Sequence, residues 1–208
     1  MGKARFWILV MGFLLLLSAC GAGGGEEKQS AAALLQAEYQ SLPGCSMTAK
    51  VRCEQAEETA EYTLRCDWKN DGTARVTIVE PEELEGISAS FSGGSMTLLY
   101  EDVSLAAGTV SAEELSPAQV LPLVVQAIRE GYILEKGTDK VDGVPCLRLV
   151  FDTTGEQGGK IYTHVWFAEN HLPVYAEVEA EQRLLFTVDF TGFSAAPAEE
   201  IAAESETG

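Results

Sequence analysis

The stretch Cys45-Ser46-Met47-Thr48-Ala49-Lys50-Val51-Arg52-Cys53 decides the fold. Apolar and polar residues alternate along it, so an extended chain here has one apolar face and one wet face. The same period of two returns in Tyr62, Leu64, Cys66 and Trp68 against Glu61, Thr63, Arg65 and Asp67. It continues in Ala74, Val76 and Ile78, in Ile87, Ala89 and Phe91, and in Met96, Leu98 and Tyr100. With residues 103–106 these make six successive short strands. Asn70-Asp71-Gly72 and Ser92-Gly93-Gly94 are hairpin turns, and Pro81 ends a strand before a wider connection. The apolar face must be covered, and the rest of the chain has to supply the cover.

Towards the C-terminus a short apolar helix follows. Ser116 is its expected N-cap, with Pro117 at the first helical position and Gly131 as the stop after Arg129. Pro122 lies inside the pattern and is expected to kink it or to mark its true start. Five further strands are expected over 132–137, 145–151, 161–168, 172–180 and 183–193. Towards the N-terminus, residues 26–42 carry Ala31, Leu34, Leu35, Tyr39 and Leu42 on one helical stripe, ended by Pro43-Gly44. Short links between consecutive strands imply one curved antiparallel sheet. The expected fold is mainly β: an incomplete barrel of eleven strands with two helices as a lid.

The ends carry different information. Lys3 and Arg5 precede an apolar run over 6–17, which reads as a secretory signal. That run ends in Leu17-Ser18-Ala19-Cys20, which resembles the lipobox of bacterial lipoproteins. The resemblance implies acylation of Cys20 and a protein held on the outer face of the cell membrane by its first mature residue. The expected organisation is a signal peptide over 1–19, lipidated Cys20 and a glycine-rich linker to 29, one domain over 30–193, and an acidic tail over 194–208.

The formal net charge is −18, and removing residues 1–19 takes away Lys3 and Arg5 and no acid, leaving −20. Such a surface repels phosphate backbones, so nucleic acid is not an expected partner. Of the five cysteines, Cys45, Cys53, Cys66 and Cys146 remain after Cys20. Cys53 and Cys66 fall on the apolar face of adjacent strands and form a candidate disulfide, although a simple hairpin puts Cys53 opposite Ala60 or Glu61. Two buried thiols, a Cys45–Cys146 pair and an intermolecular bridge are the other readings. No CxxC pair or histidine spacing points to zinc, and neither a metal nor a cofactor is expected. His164 is read as structural, and Glu177 and Glu179 as part of a solvated face. No nucleophile stands with a base, so no enzyme activity is expected.

By parity, the inward set is Val51, Leu64, Trp68, Val76, Ile78, Ile87, Phe91, Leu98, Tyr100, Trp166, Phe186 and Val188, with Leu121, Val124 and Ile128 from the second helix. These either pack together as a core or form the candidate lining of an apolar cavity.

The order helix, six strands, helical insert and five strands resembles the LolA-like family. The insert Ser116-Pro117-Ala118-Gln119-Val120-Leu121-Pro122-Leu123 is similar to that of lipid-anchored Gram-positive members. So are Trp68 with Asp71-Gly72, Val79-Glu80-Pro81 with Gly86-Ile87, Trp166 before Leu172-Pro173, and Val188-Asp189-Phe190 with Phe193. The resemblance covers about residues 40–193. It implies a shell that binds an acyl chain, a lipid or a lipoprotein. Its alternative implication is a module that partners a cell-envelope enzyme, as in spore-germination lipoproteins. The basic residue that tunes ligand release in the soluble carriers has no counterpart here.

Overall fold

The computed structural model describes residues 30–54, 59–109, 115–153 and 160–195. Cys20, the linker and the acidic tail beyond 195 lie outside them. Two helices are described, α1 (Ala31–Ser41) and α2 (Pro117–Glu130). The first half of the sheet is β1 (Gly44–Cys53), β2 (Ala60–Lys69), β3 (Ala74–Glu80), β4 (Ser88–Ser92), β5 (Ser95–Tyr100) and β6 (Val103–Thr109). The second half is β7 (Tyr132–Val141), β8 (Val144–Asp152), β9 (Ile161–Phe167), β10 (Pro173–Ala180) and β11 (Arg183–Ala195).

All eleven strands form one antiparallel sheet in the order β6-β5-β4-β3-β2-β1-β11-β10-β9-β8-β7. Each half is a meander made by short turns. In two of these turns Gly72 and Gly94 take φ of +82° and +76°, which side chains with a Cβ resist. The halves join where β1 pairs with β11, from Cys45 opposite Ala195 to Cys53 opposite Phe186. Because β6 does not pair with β7, the sheet stays open, and among the described residues β6 and β7 are its two unpaired edges. Eleven strands, two helices and an unclosed antiparallel sheet are the architecture expected above.

The inner face and the helices make one core. Phe151, Phe167, Phe186, Leu35, Met47, Leu64, Leu121, Ile128 and Leu149 are all at most 2 % exposed. Each such side chain stabilises the fold by about 1.5–3 kcal/mol relative to its exposed state. In α1 the buried stripe is Ala32, Leu35 and Tyr39, while Leu34 is 46 % exposed. The helix is therefore turned by about one residue from the stripe expected from the sequence. Contact with the rings of Phe167 and Phe193, both 5.9 Å from Tyr39, sets that rotation. In α2, Ser116 is the N-cap, and its N–H donates to Gln119 Oε1 at 2.6 Å. Pro122 sits within the continuous helix, neither starting nor ending it.

The helices clasp each other by their C-termini, where the last carbonyls lack partners within the helix. Arg129 Nη1 donates to the carbonyls of Tyr39 at 2.6 Å and Leu42 at 3.2 Å. In return Gln40 Nε2 donates to Arg129 O and Gln36 Nε2 to Gly131 O, both at 2.8 Å. Gly131 has an ordinary φ of −63°, so its need is space. A Cβ there would stand 2.4 Å from Ala127 O and 2.9 Å from Phe151 Cβ.

The Cys53–Cys66 pairing does not form. In the β1–β2 ladder Cys53 lies opposite Ala60, and Cys66 lies opposite Met47, six residues along the strand from Cys53. At about 3.4 Å per residue that is roughly 20 Å, far beyond the reach of a disulfide. All four described cysteines are free thiols.

Candidate functional site

Most of the expected cavity lining fills the core. Val51, Leu64, Val76, Leu121, Val124, Ile128, Phe186 and Val188 are at most 2 % exposed and pack against one another. Their periodicity marks an inward direction, and the two helices occupy the space they face. Ile78 packs against the edge of this core, Ile87 and Leu98 are half-buried, and Tyr100 is 50 % exposed near the free β6 edge.

Trp68 and Phe91 are the members that meet at an opening. A cleft of about 300 Å³ lies between α2 and the β2–β3 and β4–β5 turns, lined by Trp68, Phe91, Leu115, Pro122 and Leu123. Asn70, Gln119 and Gln126 place polar groups around it. Its volume is at the lower end for a small-molecule site. A more polar opening of about 260 Å³ shares Leu123, Gln126 and Glu130 and reaches Asp152 and Thr153. The outer stripe of α2 thus runs between two openings.

Arg129 packs against the floor of the cleft. Arg129 lies over the Trp68 ring, 4.6 Å from its centroid, while it caps α1. Such a contact is worth about 0.5–2 kcal/mol, depending on how dry it is. Beneath it, burial pushes the Cys45 thiol up to about 12, more than the nearby Arg129 charge draws it down. Burial also drives Cys66 well above its usual value. Both are protonated, unreactive core thiols.

Trp166 is on the other side of the sheet. In β9 the inward residues are Thr163, Val165 and Phe167, which pair with Phe151, Leu149 and Leu147 of β8. His164 and Trp166 therefore face outward. Ile161–Phe167 carries apolar or aromatic residues on both faces and can be read with either parity, and pairing decides between them. Trp166 is only 7 % exposed because outer-face neighbours cover it. Tyr175 stands 5.1 Å away, His164 stacks at 6.3 Å, and Arg148 lies 5.5 Å from the ring. Its Nε1–H donates to Asp139 Oδ2 at 3.1 Å, and this bond holds the Asp139 carboxyl below the usual range.

The sequence pattern does not show which polar residues this outer face collects. His164 lies directly opposite Glu177 of β10, and Glu179 is two residues further on the same face. His164 Nδ1 accepts from Arg148 Nη2 at 2.9 Å, and Nε2 stands 3.8 Å from Glu179 Oε2. Tyr175 Oη donates to Glu177 Oε1 at 3.1 Å. Burial, reinforced by the Glu177 charge, raises the Tyr175 phenol above its ordinary value.

Strand order and helix placement define the class, an open antiparallel half-barrel with helices on its inner face, the architecture that the LolA-like resemblance implies. Solved structures similar to this chain include an uncharacterized conserved protein from Thermus thermophilus, at 12 % identity and TM-score 0.48, over 82 % of this chain and 90 % of that one. A LolA superfamily protein from Nitrosomonas europaea is similar at 10 % identity and TM-score 0.47, over 80 % and 94 %. Lipoprotein LppX from Mycobacterium tuberculosis is similar at 13 % identity and TM-score 0.42, over 80 % and 94 %. No protein-family model and no curated protein matches the chain. No helix among the described residues is long and apolar enough to cross a membrane.

Proposed function

We propose that this chain is an extracytoplasmic lipoprotein, anchored through acylated Cys20, that holds one apolar group in the cleft beside α2. The observation that carries the reading is the Trp68–Phe91–Leu115–Pro122–Leu123 lining of an opening of about 300 Å³ above a filled core. Apolar surface at a concave site gains by leaving water, at roughly 25 cal/mol per Å². The size suits a single acyl chain or the apolar part of a lipoprotein better than a whole multi-chain lipid. Anchoring is supported by Leu17-Ser18-Ala19-Cys20 after the apolar run. An acidic surface does not itself attract an anionic bilayer.

The full-length chain in a non-ionic detergent below its micelle threshold is titrated with a fluorescent fatty acid. Saturable uptake is expected, and Phe91→Glu and Leu123→Glu should each weaken it at least tenfold while the thermal melt stays put. No uptake, or uptake indifferent to both changes, removes the reading. Anchoring is tested separately: Cys20→Ser should abolish incorporation of labelled palmitate.

A second reading, a protein-interaction module for a cell-envelope enzyme, is favoured by the free β6 edge. Val103–Thr109 carries no charge, and Val103 and Leu105 are 66 % and 62 % exposed. Soluble proteins usually guard such an edge with charge, proline or a bulge. The other free edge, β7, does so with Glu135, Lys136, Asp139, Lys140 and a bulge between Ile133 and Glu135. A strand from a partner would cover β6. Stoichiometric co-purification from membranes, lost in Leu105→Lys, would favour this reading over the first.

A further inference from the structure

We propose that the outer face of the sheet carries a site for a divalent transition-metal ion of the zinc type, built from His164, Glu177 and Glu179. One ligand atom from each of the three lies within 4.8 Å of the other two. Tetrahedral ligation at about 2.1 Å spaces ligand atoms about 3.4 Å apart, so closure needs shifts of about 1 Å. Rotation about the side-chain bonds of the two glutamates supplies them. The three residues stand on β9 and β10, two inner strands of the sheet, in direct and diagonal register. Their backbone spacing is therefore set by the ladder and not by a loop.

The surroundings match a site with three protein ligands and an open position. Tyr175 Oη donates to Glu177 Oε1 at 3.1 Å and orients that carboxylate. Glu179 has one described partner, His164 Nε2, at 3.8 Å, which is too long for a hydrogen bond. The His164 side chain is 14 % exposed and Glu179 31 %, so the imidazole is fixed within the face while the carboxylates remain reachable from water. Two carboxylates and a neutral imidazole sum to −2, which a divalent ion neutralises. One imidazole with two carboxylates favours zinc, cobalt or manganese over calcium and magnesium, which prefer oxygen throughout. The site is on the face opposite the α2 cleft, so the proposal does not rest on the ligand reading.

Arg148 is the group that opposes loading. Its Nη2 donates to His164 Nδ1 at 2.9 Å, which places the imidazole hydrogen on Nε2, where the ion would sit. For Nε2 to ligate, that proton must leave or move to Nδ1, and Arg148 must swing away from Nδ1. Glu135 Oε2, 3.5 Å from Arg148 Nη1, is ready to receive it. Arg148 therefore sets the affinity by competing for the ring, and removing it should strengthen binding. A merely structural cluster predicts no such gain.

The test is calorimetric titration of the full-length chain with ZnCl2, with CoCl2 visible absorption as a second reading of ligand geometry. Quenching of Trp166, which stacks on His164, by Co2+ in a Trp7→Phe, Trp68→Phe background reports proximity. One ion per chain is expected, with His164→Ala and Glu179→Gln each weakening it at least tenfold and Arg148→Gln tightening it several-fold. Glu179→Gln keeps the side-chain volume on a partly exposed position, so an unchanged melt without metal confirms its fold. Equal binding of CaCl2, zinc binding unaffected by Glu179→Gln, no binding below millimolar zinc, or weaker binding in Arg148→Gln would each overturn the proposal.

Discussion

Replacing Arg129 by methionine tests how the lid is held. The guanidinium makes two charge-assisted bonds, to Tyr39 O at 2.6 Å and Leu42 O at 3.2 Å, and stacks on Trp68 at 4.6 Å. Bonds to charged groups contribute about 1.5–3 kcal/mol each, the longer one less, and the ring contact adds about 1 kcal/mol. Arg129 Nε is buried without a partner among the described residues, which costs about 1–3 kcal/mol that the substitution relieves. Methionine keeps most of the stem packing, so the net loss should be about 2–4 kcal/mol. In a chain of this size 1 kcal/mol corresponds to roughly 2–4 °C, so the thermal midpoint should fall about 4–16 °C. Urea unfolding gives the free energy, and amide exchange over Ala31–Ser41 shows where it is lost. Gln40→Ala, which removes one exposed bond, should cost under about 1 kcal/mol. A loss below about 1 kcal/mol for Arg129→Met, or unchanged protection in α1, would refute the clasp.

Gly131→Ala forces a Cβ to 2.4 Å from Ala127 O, and overpacking of this kind should cost about 1–3 kcal/mol by urea unfolding. The raised Cys45 pKa makes stability depend on pH in one direction. Below the unfolded value of 9.0 the thiol is neutral in both states, and from there to about 12 only the unfolded chain ionises. Stability is thus complete below pH 9 and falls by up to about 1.4 kcal/mol per pH unit above it, a slope that Cys45→Ala should reduce. A thiol reagent at pH 8 should label half-buried Cys53 in the native protein, and label Cys45, Cys66 and Cys146 only after unfolding. Early labelling of Cys66 would contradict the packing.

How far the sequence reaches depends on which period each segment carries. Strands with one wet face, such as 45–53 and 61–68, declare both their type and their inward side. β9 carries apolar residues on both faces, so its sequence does not fix which side is inward, and the pairing of Trp166 with Arg148 and Tyr175 places it on the outer side, against the expectation. The expected end of β7 at 137 falls short because 138–141 alternate no apolar residues. That strand is at an edge and is held by its ladder to β8 alone. The α1 stripe differs by one residue because small and apolar residues make up more than half of the helix, and contact with Phe167 and Phe193 selects the angle.

Local chemistry by itself determined the eleven strands, the two helices, the turns and the expectation of an N-terminal lipid anchor, because alternation, caps and glycine positions act over a few residues. Tertiary structure decided what no short window contains. It joined β1 to β11 across the length of the chain, filled the inner face with helix instead of ligand, and left a cleft at Trp68 and Phe91. It also brought His164 beside Glu177 and Glu179 through the β9–β10 register. Period two tells which way a side chain points, and only the pairing of strands and the docking of helices tells what it meets there.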